Sequence, residues 1–189
     1  MEWPSQGFVA FECKIRADSP TVIKALLEAD FVSVMLTGDA PLTALHVATA
    51  CGICQKSRAA LELKFTNGKA EWVGTIGEDP VRKPFKVEAM PVLAAEYDLT
   101  TTEAALEVVA EKYPELWTEV DLIKVHARCS PQGKAKVIRA MQTHKGHQVM
   151  MCGDGGNDVG ALKQAEVGLA LLSGYGALLV SLALPVARA

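Results

Sequence analysis

Two carboxylates, Asp154 and Asp158, stand close together in the stretch Gly153-Asp-Gly-Gly-Asn-Asp158, directly after the apolar run Gln148-Val-Met-Met-Cys152. Hard oxygen donors of this kind suit Mg²⁺ beside a phosphate, and the glycines let backbone come close to a ligand. An Asp-Gly turn is the competing reading of the same residues. Two other groups bear on the choice. Thr37-Gly38-Asp39 ends a second apolar run, at 31–36, while Arg128 and Lys134 bracket the helix start Ser130-Pro131. A lysine near a helix N-terminus can meet a phosphate that free backbone N–H groups already favour. The alternative is an ordinary solvated lysine laid along the surface.

The elements that must carry these residues follow from periodicity. The runs at 7–11, 31–36, 122–127, 148–152 and 167–171 have the length and apolar density of buried parallel strands. Helices are expected after Ser19-Pro20, from Pro41 to a C-terminal stop at Gly52, after Ser130-Pro131, and over 157–164. Strand-helix-strand units cross over right-handed and give parallel sheets whose carboxyl ends hold the ligand. Thr37, Arg128 and Asp154 all fall just beyond such ends.

The middle of the chain differs. Residues 61–65 and 70–76 alternate apolar and polar around Thr66-Asn67-Gly68-Lys69, a strong hairpin signal. A short strand is expected at 91–95 and a helix over 101–112, and the charged residues of this stretch are assigned to a solvated face. The expected organisation is 1–54 as a βαβα segment and 55–121 as an insertion with a hairpin and a helix. Residues 122–172 then form a second core segment, followed by 173–189 as an apolar tail.

Composition narrows the class. Of 189 residues, 50% are hydrophobic and 22% charged, so the chain can bury a core of its own. A net charge of −3 gives no electrostatic case for a nucleic-acid partner. Five cysteines, an odd number, argue for a reducing compartment. Cys13, Cys129 and Cys152 read as small core residues, and Cys51-Gly-Ile-Cys54 falls where a helix ends, so no helix dipole favours a thiolate there. The N-terminus lacks the basic and apolar regions of a signal peptide. The uncharged stretch 167–187 approaches the length of a membrane span, but glycines and serines dilute it, and a buried strand with an apolar tail is the preferred reading.

Taken in order, Thr37-Gly38-Asp39, the Arg-x-x-Pro-x-x-Lys spacing of Arg128, Pro131 and Lys134, and Gly153-Asp-Gly-Gly-Asn-Asp158 resemble the phosphorylation domain of P-type ATPases. That domain has a haloacid-dehalogenase-like fold. The flanking residues at 35–44 and 157–163 look most like class five, endoplasmic-reticulum branch. The resemblance implies an α/β, Rossmann-like parallel sheet with a small antiparallel insertion, left incomplete by the absence of a first strand. It implies that Thr37 and Lys134 contact the phosphoryl group and that Asp154 and Asp158 serve the Mg²⁺ site. Gly38, Asp39, Arg128 and Asn157 would then line the phosphate and nucleotide. ATP would be the parent enzyme's substrate, and the partners would be its nucleotide-binding, actuator and membrane domains, with this domain on the cytosolic side of the endoplasmic reticulum membrane. The family's nucleophilic aspartate, in a DKTGT motif, has no counterpart here. That absence leaves a second expectation, a non-catalytic truncated form acting as a binding or docking module.

Overall fold

A computed structural model of the chain describes residues 14–75, 80–153 and 156–171, and the backbone of 180–184. The strand expected at 7–11, Cys13, Asp154 and the tail at 173–179 lie outside the described residues.

The first crossover unit forms as its sequence requires. Helix α1 (Ser19–Glu28) carries Pro20 in its first turn and buries Ile23, then Asp30 turns the chain with a positive φ of 61°. Strand β1 (Val32–Leu36) is buried along nearly its whole length, as a strand covered on both faces must be. Helix α2 (Pro41–Cys51) opens on its proline and stops at Gly52, whose φ of 88° only glycine adopts without strain.

Strands β2 (Ala60–Thr66) and β3 (Lys69–Gly74) pair antiparallel across Asn67 and Gly68, both at positive φ, as a two-residue hairpin needs. β4 (Arg82–Pro84) continues the antiparallel set on the far side of β3. Residues expected as a strand at 91–95 are helical instead, within α3 (Met90–Glu96). Pro91 sits in the first turn of that helix, while Met90 and Leu93, one turn apart, are its buried residues; a five-residue apolar run does not distinguish the two periods. Strand β5 (Asp98–Thr102) then runs into α4 (Glu103–Lys112), capped by the Thr102 hydroxyl, which accepts from the Ala105 N–H.

A 3₁₀ stretch (Pro114–Leu122) leads to β6 (Ile123–Ala127) and α5 (Pro131–Lys145). After them come β7 (Gln148–Gly153), a 3₁₀ turn (Gly156–Asp158), α6 (Val159–Gln164), β8 (Val167–Ala170) and β9 (Val180–Leu184). Among the described residues, nine strands form one sheet in the order β4-β3-β2-β5-β6-β1-β9-β7-β8. β2, β5, β6 and β1 are mutually parallel, and so are β7 and β8. β9 runs antiparallel to both β1 and β7, so β1 and β7 point the same way. β9 thus lies between β1 and β7, and part of the stretch expected as an apolar tail is a central strand.

Two apolar layers cover the sheet. Ile23, Ala44 and Ala48 from α1 and α2 pack with Met35 and Val125 in one cluster. Leu106 and Val109 of α4, and Val137, Ile138 and Met141 of α5, pack with Val34 and Leu36 in the other. Each fully buried aliphatic side chain contributes about 1.5–3 kcal/mol. Among the described residues, no helix is long and apolar enough to cross a membrane.

Candidate functional site

Because β1, β6 and β7 share one direction, Thr37, Arg128 and the Gly153 turn all emerge at the same edge of the sheet. The first two loops are stitched together by backbone. The Thr37 N–H donates to the His126 carbonyl (3.0 Å), the Cys129 N–H to the Thr37 carbonyl (2.9 Å), and the Arg128 N–H to the Asp39 carbonyl (3.0 Å). Arg128 has a φ of 53°, a left-handed conformation costing on the order of 1–2 kcal/mol outside glycine, and these bonds hold it there. Thr37 is buried, and its Oγ1 accepts from the Asp39 N–H at 3.1 Å.

The second pair of loops meets through side chains. Lys134, in the first turn of α5, places its Nζ 2.7 Å from Asp158 Oδ1. The two residues are 3% and 1% exposed, so this is an interior ion pair, unlike the solvated pairs such as Lys24 with Glu28. Asp158 in turn presses on the backbone at Gly153. A Cβ added there would lie 2.9 Å from both the Asp158 Cβ and Oδ2. Gly153→Ala is therefore expected to displace Asp158 and lower stability by about 1–3 kcal/mol, as overpacking does, which a thermal or urea unfolding curve will read.

Of the residues singled out from sequence, Thr37, Lys134 and Asp158 are thus buried at one edge, and Gly38, Asp39, Arg128 and Asn157 are exposed around them. Asp154 is not among the described residues. The helix start at Ser130 is capped as expected but carries an unexpected carboxylate. Two of its donors are already taken from within the chain: Ser130 Oγ accepts from the Gly133 N–H at 2.9 Å, and Glu103 accepts from both the Ser130 N–H and, at 2.7 Å, its hydroxyl. From its sequence alone, Glu103 falls in a charged stretch expected on a solvated face. The available signal was Gly133, a poor helix residue inside a first turn.

Neighbouring groups are held neutral. Burial pushes the Cys129 thiol up to about 12, with the Glu103 charge adding to the effect, so it is no nucleophile at neutral pH. His126 is fully buried, and desolvation lowers it to about 4. The Val120 and Ile123 carbonyls offset this only in part, and neither ring nitrogen makes a well-formed hydrogen bond among the described residues. Cys51 and Cys54 are buried at the end of α2, and burial raises both thiols, Cys54 to about 12. A cleft of about 360 Å³ lined by His46, Arg58 and Asp98 lies beside the first residues of β2 and β5, at the opposite end of the sheet from Thr37.

Among the described residues, no group of three His, Cys, Asp or Glu side chains could hold a metal. Mg²⁺ does not ask for one, since it is usually bound through one or two carboxylates together with phosphate oxygens and water. Asp158, a carboxylate in the turn after β7 beside the Lys134 ammonium, is a donor of the kind that modest requirement asks for.

A mixed sheet whose site-bearing strands β1, β6 and β7 run the same way, with ligand-type residues at their carboxyl ends, defines a class, and comparison with known proteins agrees. Residues 6–166 match the description of haloacid dehalogenase-like hydrolases, and the chain belongs to that family. The endoplasmic reticulum transmembrane helix translocase of Schizosaccharomyces pombe is 37% identical over 178 residues, covering 88% of this chain. Its Saccharomyces cerevisiae counterpart is 37% identical over 172 residues, covering 89%. A probable manganese-transporting ATPase of Arabidopsis thaliana, PDR2, is 35% identical over 167 residues, covering 88%. The resemblance to class-five P-type ATPases thus extends over most of the chain. The chain spans 14% of the length of each of these relatives.

Proposed function

We propose that this chain supplies the cation-lined half of an aspartyl-phosphate site in an ATP-driven P-type transporter of the endoplasmic reticulum membrane. The observation that carries the reading is the buried Lys134–Asp158 pair at the sheet edge shared with Thr37. A buried, pre-positioned ammonium group stabilises charge developing on a transferring phosphoryl group without reorganising at the moment of reaction. Thr37, which accepts from the Asp39 N–H, keeps its hydroxyl hydrogen for a phosphoryl oxygen. Asp154 and Asp158 would hold Mg²⁺, which supplies Lewis-acid neutralisation of phosphoryl charge when bound. Asn157, Gly38, Asp39 and Arg128 surround the buried trio and would meet phosphate and nucleotide. The nucleophilic aspartate, the nucleotide-binding and actuator domains and the membrane helices would come from the remainder of the transporter. Hydrophobic helical segments are the proposed cargo, by analogy with the yeast translocases' names.

The test is made in a complete P-type ATPase carrying this segment. Asp154→Asn is expected to abolish Mg²⁺-dependent formation of the acid-stable phosphoenzyme from ATP. Phosphoenzyme at the unsubstituted level would refute the assignment.

A further inference from the structure

Glu103 opens α4, far from α5 in the sequence, yet its carboxylate is spent on the loop that launches α5. It accepts from the Ser130 N–H and from the Ser130 hydroxyl, and that same hydroxyl oxygen caps the Gly133 N–H. The next residue is Lys134, whose own N–H donates to the Ser130 carbonyl at 3.0 Å. Two bonds therefore join Glu103 to Ser130, and two more join Ser130 to the Gly133 and Lys134 N–H groups, the backbone turn from which the Lys134 side chain departs toward Asp158.

Space and charge point the same way. A Cβ at Gly133 would collide with all three atoms of the Glu103 carboxyl group, so the glycine is there to admit that carboxylate. A carboxylate at this position also takes the favourable anion place at the positive end of α5. We propose that Glu103 is a positioning residue for Lys134. It fixes the first turn of α5 from α4 and sets its own negative charge at the helix N-terminus, so that an incoming phosphate meets the Lys134 ammonium rather than the helix end. This role rests on the phosphate-site reading given above only for its consequence in catalysis; the clamp itself does not.

The experiment uses the full chain labelled with ¹⁵N and follows the lysine ammonium groups by NMR. Lys134, buried against Asp158, is expected to give a slowly exchanging signal, assigned by its absence in Lys134→Met. Glu103→Ala is expected to speed its proton exchange by about tenfold or more, the effect of losing charge-assisted hydrogen bonds behind it. Glu103→Gln, which keeps one carbonyl acceptor, should fall between. Val109→Ala removes fully buried volume from the same helix α4 and is the control for destabilisation alone; it should leave the Lys134 signal unchanged. Equal responses to Glu103→Ala and Val109→Ala would overturn the proposal. If Glu103→Ala does not fold, an unchanged signal in Glu103→Gln overturns it instead. Because this readout needs no phosphate, failure of the wild-type chain to bind phosphate would remove the functional reading and leave the clamp intact.

Discussion

Lys134→Met will cost the fold about 3–5 kcal/mol, the usual effect of removing one partner from a buried ion pair. The size follows from location. Lys134 and Asp158 are nearly inaccessible and 2.7 Å apart, so taking away the ammonium leaves Asp158 in the interior without its cation. Methionine keeps most of the lysine's volume, which confines the loss to electrostatics. Restoring neutrality should then recover stability: Lys134→Met combined with Asp158→Leu is expected to be more stable than Lys134→Met alone, because an apolar pair of similar volume often replaces a buried ion pair at little cost. Urea unfolding midpoints of the two variants and the parent chain measure this. A cost below about 1 kcal/mol, the range of solvated pairs, would show that the pair is not buried in solution.

Acid should destabilise the chain well before its carboxylates are exhausted. His126 is buried neutral, with its folded value near 4 against about 6.5 when unfolded. The unfolded chain therefore binds a proton that the folded chain refuses as pH falls between these values. Stability is fully present above about pH 6.5 and is lost progressively down to about pH 4. A difference of this size corresponds to roughly 3 kcal/mol. His126→Phe, which has no titrating nitrogen, should flatten the slope of unfolding free energy in that window, though it will carry its own packing cost at all pH values. An unchanged slope in that variant would mean that another group governs the acid limb. The consequence reaches the site, because the His126 carbonyl receives the Thr37 N–H and local opening of β6 would release it.

Local chemistry explains which features were legible in the sequence. The hairpin at Asn67-Gly68, the helix stop at Gly52 and the cap at Ser130 depend on residues within a few positions of one another, and they form as expected. The run at 91–95 was misread because its five residues fit either period, and the first-turn proline was the better guide. β9 was beyond reach for a different reason. Its strand partners lie in β1 and β7, and pairing that distant leaves no periodic mark other than apolarity, which a core strand and a loose tail share.

The site divides in the same way. Thr37, Lys134 and Asp158 were identifiable because each follows the end of an apolar run in a motif with an intelligible role. The Glu103 clamp was not, since a carboxylate on a helix after a run of threonines resembles any solvated residue. Its partner Ser130 is in a different element of the fold, and only the folded chain shows that Gly133 is glycine to make room for it.

The measurement that bears most directly on the central claim is a titration of the full chain with inorganic phosphate, with and without Mg²⁺, observed at the Lys134 ammonium signal. A saturable shift of that signal that requires Mg²⁺, and that disappears in Asp154→Asn and in Thr37→Ala, is the predicted result. A Lys134 signal that stays unmoved while exposed lysines respond would contradict the account.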